Sequence, residues 1–291
     1  MSTSKAPVNL KQAIRNLDML PAMPEIAQKI LALNLETDDG ERAMLKLIEK
    51  DPQIAAKIIG LANTPLFGAS KKVSSVTDAA MLLGITRVKS VTMSISVMSS
   101  LTKKHVGKLD IQGLWLHSLA IALALRAISR AMPRNTRPLD DEIFLAGLLH
   151  DIGYMVLNQL DQVRSDELHA RFASEKERNT SEIEAEFLEM NHGELGAELV
   201  RHWDLPESVV AILRYHHDSQ NKHAAPGQPL VSMVNLAEKI LPSFGIQEHS
   251  STAITSEEWF ALGIDPASAD KLIAEIKMQA EEARQTAGNF P

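Results

Sequence analysis

The residues of this chain best suited to chemistry are histidines and acids set in apolar segments. His117 lies in LWLHSLAIAL, and the doublet His150-Asp151 ends the apolar run FLAGLLHDIGY in a charged, glycine-containing turn. Further along the chain come His192 and the pair His216-His217. Because the chain has no cysteine, a metal ion would be bound through imidazole and carboxylate groups, which suits Fe, Mn, Zn or Ni. These histidines also have structural readings: His117 as a neutral core histidine bonded to Asp151 or to a backbone carbonyl, His192 as the start of its helix, and His217 as an exposed residue beside Asp218.

The composition is that of an ordinary folded protein rich in helix. The chain has 291 residues, 45% of them hydrophobic and only 4% aromatic, with a net charge of −7. Few aromatics and plentiful Ala, Leu, Ile and Met favour helices over a β-sandwich. The negative charge argues against nucleic acid or an anionic membrane as a partner. With no apolar run judged long enough to cross a bilayer and no signal peptide in view, we expect a cytoplasmic protein.

The spacing of apolar residues predicts a succession of helices and no strand of useful length. Short helices are expected between residues 18 and 101, one of them with Asp51 as N-cap and Pro52 at its first position. The segment from Leu114 to Ala131 is apolar almost all round, which predicts a central helix buried on most of its surface. Later helices are predicted near Asp140, Asp151, Asn191, Pro206 and Leu230, with an amphipathic helix from about Pro266 to Ala280.

Long stretches of the chain resemble the HDOD domain. Its N-terminal part is similar to LPAMPEIAQKILAL, IEKDPQIAAKIIGLANTPLFG and VSSVTDAAMLLGITRVKSV, in that order. Its HD-related part is similar to FLAGLLHDIGY, EMNHGELGAELVRHWDLPESVVAILRYHH and SMVNLAEKI. The resemblance covers roughly residues 15–242. It implies an all-α fold related to the HD and HD-GYP phosphohydrolases, in a group of bacterial signalling proteins generally thought to have lost catalysis.

The resemblance also implies a set of candidate or vestigial metal ligands. They are His117, His150, Asp151, His192, His216 and His217. In HD enzymes such residues hold one or two divalent ions, which lower the pKa of water and neutralise a phosphate. Asp151 matches the carboxylate that bridges two ions, and Asn235 stands where those enzymes usually carry a terminal aspartate.

Three departures from the HD pattern argue against catalysis. Asn235 brings no negative charge, and an amide oxygen binds a cation more weakly than a carboxylate does. The GYP loop of HD-GYP phosphodiesterases is missing from HDIGYMVLNQL. Tyr154 also replaces the lysine that usually follows HDIG in those enzymes. The sequence therefore does not predict a cyclic-dinucleotide phosphodiesterase.

Two features outside this set bear on partners. Leu66 and Phe67, in the loop from Asn63 to Gly68, are candidates for anchoring a partner protein, although both could equally fold back onto the N-terminal helices. TDAAMLLGITRVKSV has the spacing of a helix-turn-helix, but its few basic residues favour helix packing over DNA binding.

We therefore expect an all-α HDOD-type fold. It would have an N-terminal helical lobe over residues 1–105, an HD-like lobe over 106–245 and a C-terminal helical tail over 246–291. The function favoured by the sequence is a non-catalytic signalling or scaffolding module that binds a protein partner, with no confident catalytic residue. One alternative is a metal-dependent phosphohydrolase acting on a nucleotide or phosphoester. The other is a sensor that binds a nucleotide without turning it over.

Overall fold

A computed structural model describes residue 10, residues 20–64, residue 67, and residues 71–102, 107–242, 244–249 and 251–287. Over these residues the chain forms α-helices and short 3-10 turns and no strand, so the predicted all-α class is confirmed. The helices of the N-terminal part are α1 (Glu25–Leu31), α2 (Asp38–Glu49), α3 (Pro52–Ala62), α4 (Val76–Leu83) and α5 (Ile85–Thr102).

Ten further helices follow within the described residues. They are α6 (Ile111–Ala131), α7 (Asp140–Leu149), α8 (Ile152–Leu160), α9 (Gln162–Ser174), α10 (Thr180–Leu188), α11 (His192–His202), α12 (Glu207–Tyr215), α13 (Leu230–Ile240), α14 (Ser256–Ala261) and α15 (Ala269–Ala287). The 3-10 turns are Arg134–Thr136, Lys222–Gly227 and Pro266–Ser268.

Local sequence accounts for the ends of the N-terminal helices. The Asp51 side chain accepts hydrogen bonds from the backbone amides of Gln53 and Ile54, at 3.0 and 3.1 Å, and Pro52 begins α3 as predicted. Gly84 ends α4 with a φ of 90°, a conformation that glycine adopts without steric cost. The chain bends by 118° between α4 and α5 at this residue.

Helix α6 is the centre of the fold. It is buried on most of its surface because α7, α13 and the C-terminal helix α15 pack around it. By length and composition alone α6 could cross a membrane, with a mean hydropathy of 1.5, which corrects our expectation that no such run exists. Within the protein, 67% of that apolar stretch is already buried against its neighbours.

The N-terminal part and the HD-related part of the chain are in direct contact. The indole Nε1 of Trp203, at the end of α11, donates a hydrogen bond of 2.8 Å to the backbone carbonyl oxygen of Pro21. Phe67 is half-buried and packs against the hydrophobic core, which favours a structural role for it over partner binding. Leu66, named with it as a candidate anchor, lies outside the described residues.

Candidate metal centre

The doublet His150-Asp151 forms the junction between two helices. Helix α7 ends at Leu149, α8 begins at Ile152, and the two are bent by 41°. Both side chains of the doublet are buried. The glycine at position 153 permits a close helix contact, because a Cβ there would lie 1.8 Å from the carbonyl oxygen of His192. The HDIG sequence thus brings the start of α11, and with it His192, against the doublet.

One half of the cluster contains His117, His150 and Glu238. The Nε2 atoms of the two histidines are 3.2 Å apart, and Glu238 Oε1 lies 3.0 Å from each of them. Asp151 Oδ2 lies 3.3 Å from both nitrogens. Four potential ligand atoms therefore surround one point.

The other half contains His192 and His216, whose Nε2 atoms are 3.0 Å apart. Asp151 Oδ1 lies 3.2 Å from the first nitrogen and 3.6 Å from the second. The His217 ring can also direct a nitrogen to this group, and its Nε2 lies 3.0 Å from Glu248 Oε1. Asp151 thus presents one oxygen to each half, as a carboxylate that bridges two ions must.

Contacts on the far side of each ring determine which nitrogen faces the cluster. Three rings have Nδ1 within 2.7–2.9 Å of a backbone carbonyl oxygen: His117 beside Phe244, His150 beside Gly147, and His216 beside Leu213. The Nδ1 of His192 lies 2.9 Å from the Glu184 carboxylate. Carbonyls and carboxylates only accept hydrogen bonds, so each Nδ1 carries the proton and donates it. In the neutral ring Nε2 then presents its lone pair to the cluster.

When the four rings are neutral, the inner surface of the cluster therefore consists of acceptors. Within the described part of the chain, neither oxygen of Asp151 has a partner in hydrogen-bonding geometry, although both are buried. Leaving a buried acceptor unsatisfied costs about 1–3 kcal/mol. Ligands held about 2.0–2.1 Å from a tetrahedral zinc ion lie roughly 3.3 Å apart, close to the spacing of these atoms. The residues present therefore fit divalent cations bound through imidazole and carboxylate.

Burial and charge act in opposite directions on the pKa values of these groups. Burial lowers the pKa of His150, but the carboxylates of Asp151 and Glu238 outweigh it and raise this pKa to about 9. Burial combined with the neighbouring His217 lowers the pKa of His216 to about 4. Burial raises the pKa of Asp151, yet the adjacent histidines hold it well below its usual range. The surplus negative charge favours protons or a metal ion, and a bound metal displaces the protons.

The terminal carboxylate of the cluster comes from Glu238 and not from position 235. Asn235 donates from Nδ2 to the backbone carbonyl oxygen of His216 at 2.8 Å, so its amide holds the end of α12. Glu238 lies one turn later on α13 and carries the negative charge that we had considered lost. The expectation of a missing charge is therefore corrected. Positions 235 and 238 share one helix face, and a single sequence does not fix which of them points at the cluster.

Sequence reasoning also missed Glu184 and Glu248. Both are buried, and Glu184 lies on the apolar face of α10 together with Ile183 and Leu188. An acid on the buried face of an amphipathic helix is a signal that the sequence did contain. Glu248 lies in an irregular segment after α13, where no periodicity marks a residue as buried.

A surface cleft of about 470 Å³ reaches the cluster at His217 and Glu238. The His217 side chain is 15% exposed, whereas the other histidines of the cluster are buried. The cleft is also lined by Asp218, Glu258 and Lys239, and the last two form an ion pair. Without cations in the cluster, this acidic wall would repel a phosphate.

A family model for the HDOD domain matches residues 20–219, more than half of the chain. The chain belongs to the HDOD family. The match includes all six histidine and aspartate candidates but ends before Glu238 and Glu248, so the position of these two carboxylates comes from the structure.

Solved structures show the same fold. An HDOD domain protein of unknown function from Geobacter sulfurreducens has a TM-score of 0.74 and 25% identity, covering 94% of this chain and 97% of its own. A protein from Marinobacter aquaeolei VT8, provisionally named a signal transduction protein, has a TM-score of 0.75 and 24% identity. That comparison covers 96% of this chain and 64% of the other, and at this identity it shows the fold alone.

Among curated proteins the chain is similar to an uncharacterized protein from Treponema pallidum (strain Nichols). The two are 24% identical over 237 residues, or 78% of this chain. The chain spans 44% of the length of that protein.

Proposed function

We propose that this HDOD protein is a metal-dependent phosphohydrolase with a dinuclear centre, acting on a nucleotide or another phosphoester in cytoplasmic bacterial signalling. The observation that supports this most strongly is the position of Asp151, whose two oxygens each lie beside a different pair of histidine nitrogens. From sequence alone the hydrolase was the second choice. It moves ahead because Glu238 supplies a carboxylate, whose absence had been one of the three arguments against catalysis.

The candidate ligands form two groups, each of which would hold one ion. His117, His150 and Glu238 would hold one, His192 and His216 the other, and Asp151 both. When bound, divalent ions lower the pKa of water and offset the negative charge of a phosphate.

Two residues around the ligands orient them. Glu184 accepts from Nδ1 of His192 at 2.9 Å, which keeps Nε2 directed at the cluster and makes the ring a better ligand. The ring of Tyr154 stacks on His192, with centroids 4.2 Å apart and an interplanar angle of 24°. Its hydroxyl donates to Glu248, so Tyr154 positions protein groups where the HD-GYP enzymes have a lysine for phosphate.

The substrate class follows from the cleft. Its volume of about 470 Å³ is within the range of small-molecule sites, about 300–1,000 Å³. The cluster is at its inner end, and Lys239 is already paired with Glu258, so the attraction for a phosphate must come from the bound cations. This favours a small phosphoester over a polymer.

The first test is elemental analysis of protein purified without chelators and under low oxygen, followed by a phosphoester screen. We expect about two equivalents of Fe, Mn, Zn or Ni, as two sites sharing one carboxylate require. Asp151→Asn should lose metal and turnover, and His223→Ala, at an exposed histidine, should lose neither. Folded protein that holds no metal and takes none up when supplied would contradict the proposal.

A non-catalytic module that binds a protein partner is the second candidate. The observation that favours it is Glu248, whose buried carboxylate lies 3.0 Å from His217 Nε2, where the cleft reaches the cluster and a substrate phosphate would have to bind. In that case the metal would stabilise the fold, and metal-loaded protein would capture its partner but turn over no phosphoester. Partner binding by Asp151→Asn protein that remains folded would also support this reading.

A further inference from the structure

A short irregular segment crosses the outer side of the metal cluster. We call residues 244–249 the strap. Its first residue is held by His117, whose Nδ1 lies 2.7 Å from the carbonyl oxygen of Phe244. Its last residue is held by Thr180: His249 N donates to Thr180 Oγ1 at 2.6 Å, and Thr180 N donates to His249 O at 2.9 Å. The strap is therefore fixed at both ends across the donor set.

Between these anchors the strap places Glu248 inside the cluster. Its Oε1 lies 3.0 Å from His217 Nε2, 4.0 Å from His192 Nε2 and 3.3 Å from the hydroxyl of Tyr154. A carboxylate oxygen of Glu248 also lies within 4.8 Å of ligand atoms of His117 and Asp151. This side chain therefore occupies the region next to both halves of the site.

Glu248 differs from the other candidate ligands in how it is supported. Each of the others lies in a helix or within two residues of a helix end, so withdrawing it would disturb that helix. Glu248 lies in the strap, which has no helix of its own. Residues 245–247 of the strap line a second cavity of about 700 Å³, which leaves room for the strap to move. Local opening of such a segment costs less than unfolding of a helix.

The Glu248 carboxylate decides the net charge of the metal-loaded cluster, and with it the attraction for a phosphate. Asp151, Glu184, Glu238 and Glu248 are all buried in or beside the cluster. Two divalent cations carry as much positive charge as these four carboxylates carry negative charge, so the closed site has nothing left to attract a phosphate. Without Glu248 one positive charge is in excess. Carboxylate and phosphate both offer anionic oxygens to the same hard cations.

We propose that Glu248 is an internal competitor for the phosphate site, and that an oxyanion binds at the dinuclear centre only when the strap withdraws this carboxylate. This inference rests on the metal centre of the proposed function and adds its regulation. The strap holds the site closed, and whatever displaces it opens the site to phosphoesters arriving through the cleft beside His217.

The test uses the full chain loaded with Mn²⁺ and inorganic phosphate as the probe, measured by titration calorimetry. Glu248→Gln keeps the size of the side chain and removes its charge, and it should bind phosphate about tenfold more tightly or better than the unmodified protein, with the metal content unchanged. Glu257→Gln removes an exposed carboxylate and should leave the affinity as it was.

A second variant loosens the strap without replacing a ligand. Gly245 has a φ of 84°, and a Cβ there would lie 2.5 Å from the carbonyl oxygen of Gly113. Gly245→Ala should therefore also strengthen phosphate binding and speed hydrogen exchange of the strap amides. Because the added Cβ would also lie 3.0 Å from the backbone nitrogen of His117, the metal content is measured alongside. Gly263→Ala is the matched control, since this glycine has a φ of 68° and lies away from the strap.

The outcomes separate the two proposals. Unchanged phosphate affinity in both Glu248→Gln and Gly245→Ala, with two metal ions bound, would overturn the competitor and leave the metal centre standing. Loss of a metal ion from Glu248→Gln would also overturn it, because Glu248 would then be a permanent ligand. Failure of the unmodified protein to take up Mn²⁺ would overturn the metal centre itself and the competitor with it.

Discussion

Replacing Glu238 by glutamine tests the centre at the residue that the sequence did not reveal. The substitution keeps the shape of the side chain and removes a charge 3.0 Å from Nε2 of both His117 and His150. Burial and the neighbouring carboxylates together place the pKa of His150 at about 9 instead of 6.5, a difference worth about 3 kcal/mol. Burial opposes this rise, so Asp151 and Glu238 together contribute more than the net shift. Removing one of them should lower the His150 pKa by on the order of one unit.

The same substitution removes a charged ligand from one half of the centre. Loss of groups that merely orient a metal ligand costs about 10–100-fold in affinity, so loss of this carboxylate should weaken metal binding by more than about tenfold. Histidine NMR titration of the metal-free protein measures the first effect, and metal competition with a chromophoric chelator measures the second. Glu257→Gln, at an exposed glutamate, serves as the control.

Asn235→Asp provides the opposite comparison. Its carboxylate would face the His216 carbonyl oxygen in place of the amide that now donates to it, so we expect lower stability and no gain in metal affinity. Metal binding that is strengthened by Asn235→Asp and unaffected by Glu238→Gln would refute our assignment of the terminal carboxylate.

Three further predictions concern stability. The pKa of His150 is raised in the folded protein above its unfolded value, so protonation of this ring stabilises the fold fully below pH 6.5, and the effect is lost as the pH rises through 9. Urea unfolding of the metal-free protein should show the free energy of unfolding falling by about 3 kcal/mol over this range. The metal-loaded protein should not show this fall. Gly153→Ala should push α11 away from the His150-Asp151 doublet and so lower both the melting temperature and the metal content. Gly60→Ala is the control: no atom lies near the added Cβ, and the change should stabilise α3 by about 0.5–1 kcal/mol. Equal effects of the two changes in thermal melts would contradict the close contact at Gly153. Trp203→Phe removes a hydrogen bond to the chain before α1 and should cost about 0.5–1.5 kcal/mol in urea unfolding, a loss that would be absent if the contact were not formed.

The sequence was informative wherever local chemistry decides the outcome. Asp51-Pro52 predicted the start of α3, and the apolar surface of the segment ending at Ala131 predicted the burial of α6. The six candidate ligands taken from the resemblance do come together in space. Failures occurred where tertiary geometry decides. The choice between positions 235 and 238 depends on the rotation of α13 about its own axis, which its packing on α6 sets.

Glu248 marks a different limit. It is buried because both ends of an irregular segment are tied to residues far away in sequence, at His117 and Thr180. No property of its neighbours along the chain indicates this. A carboxylate placed by long-range contacts in a loop becomes visible only when the loop is seen against the helices that it crosses.

The structure also bears on whether protons or cations hold the cluster together. Burial opposes protonation of His117, His150 and His192, but nearby carboxylates raise the pKa of each ring, whereas the pKa of His216 falls to about 4. Three protonated rings supply three inward N–H groups, one from each Nε2. The acceptors awaiting them are Glu238 Oε1, the two oxygens of Asp151 and Nε2 of the neutral His216. An N–H group donates chiefly to one acceptor, whereas a divalent ion coordinates about four ligand atoms at once. Three N–H groups therefore leave one of the four buried acceptors without a partner, whereas two cations would coordinate all four. This difference favours the metal centre over a purely structural polar core.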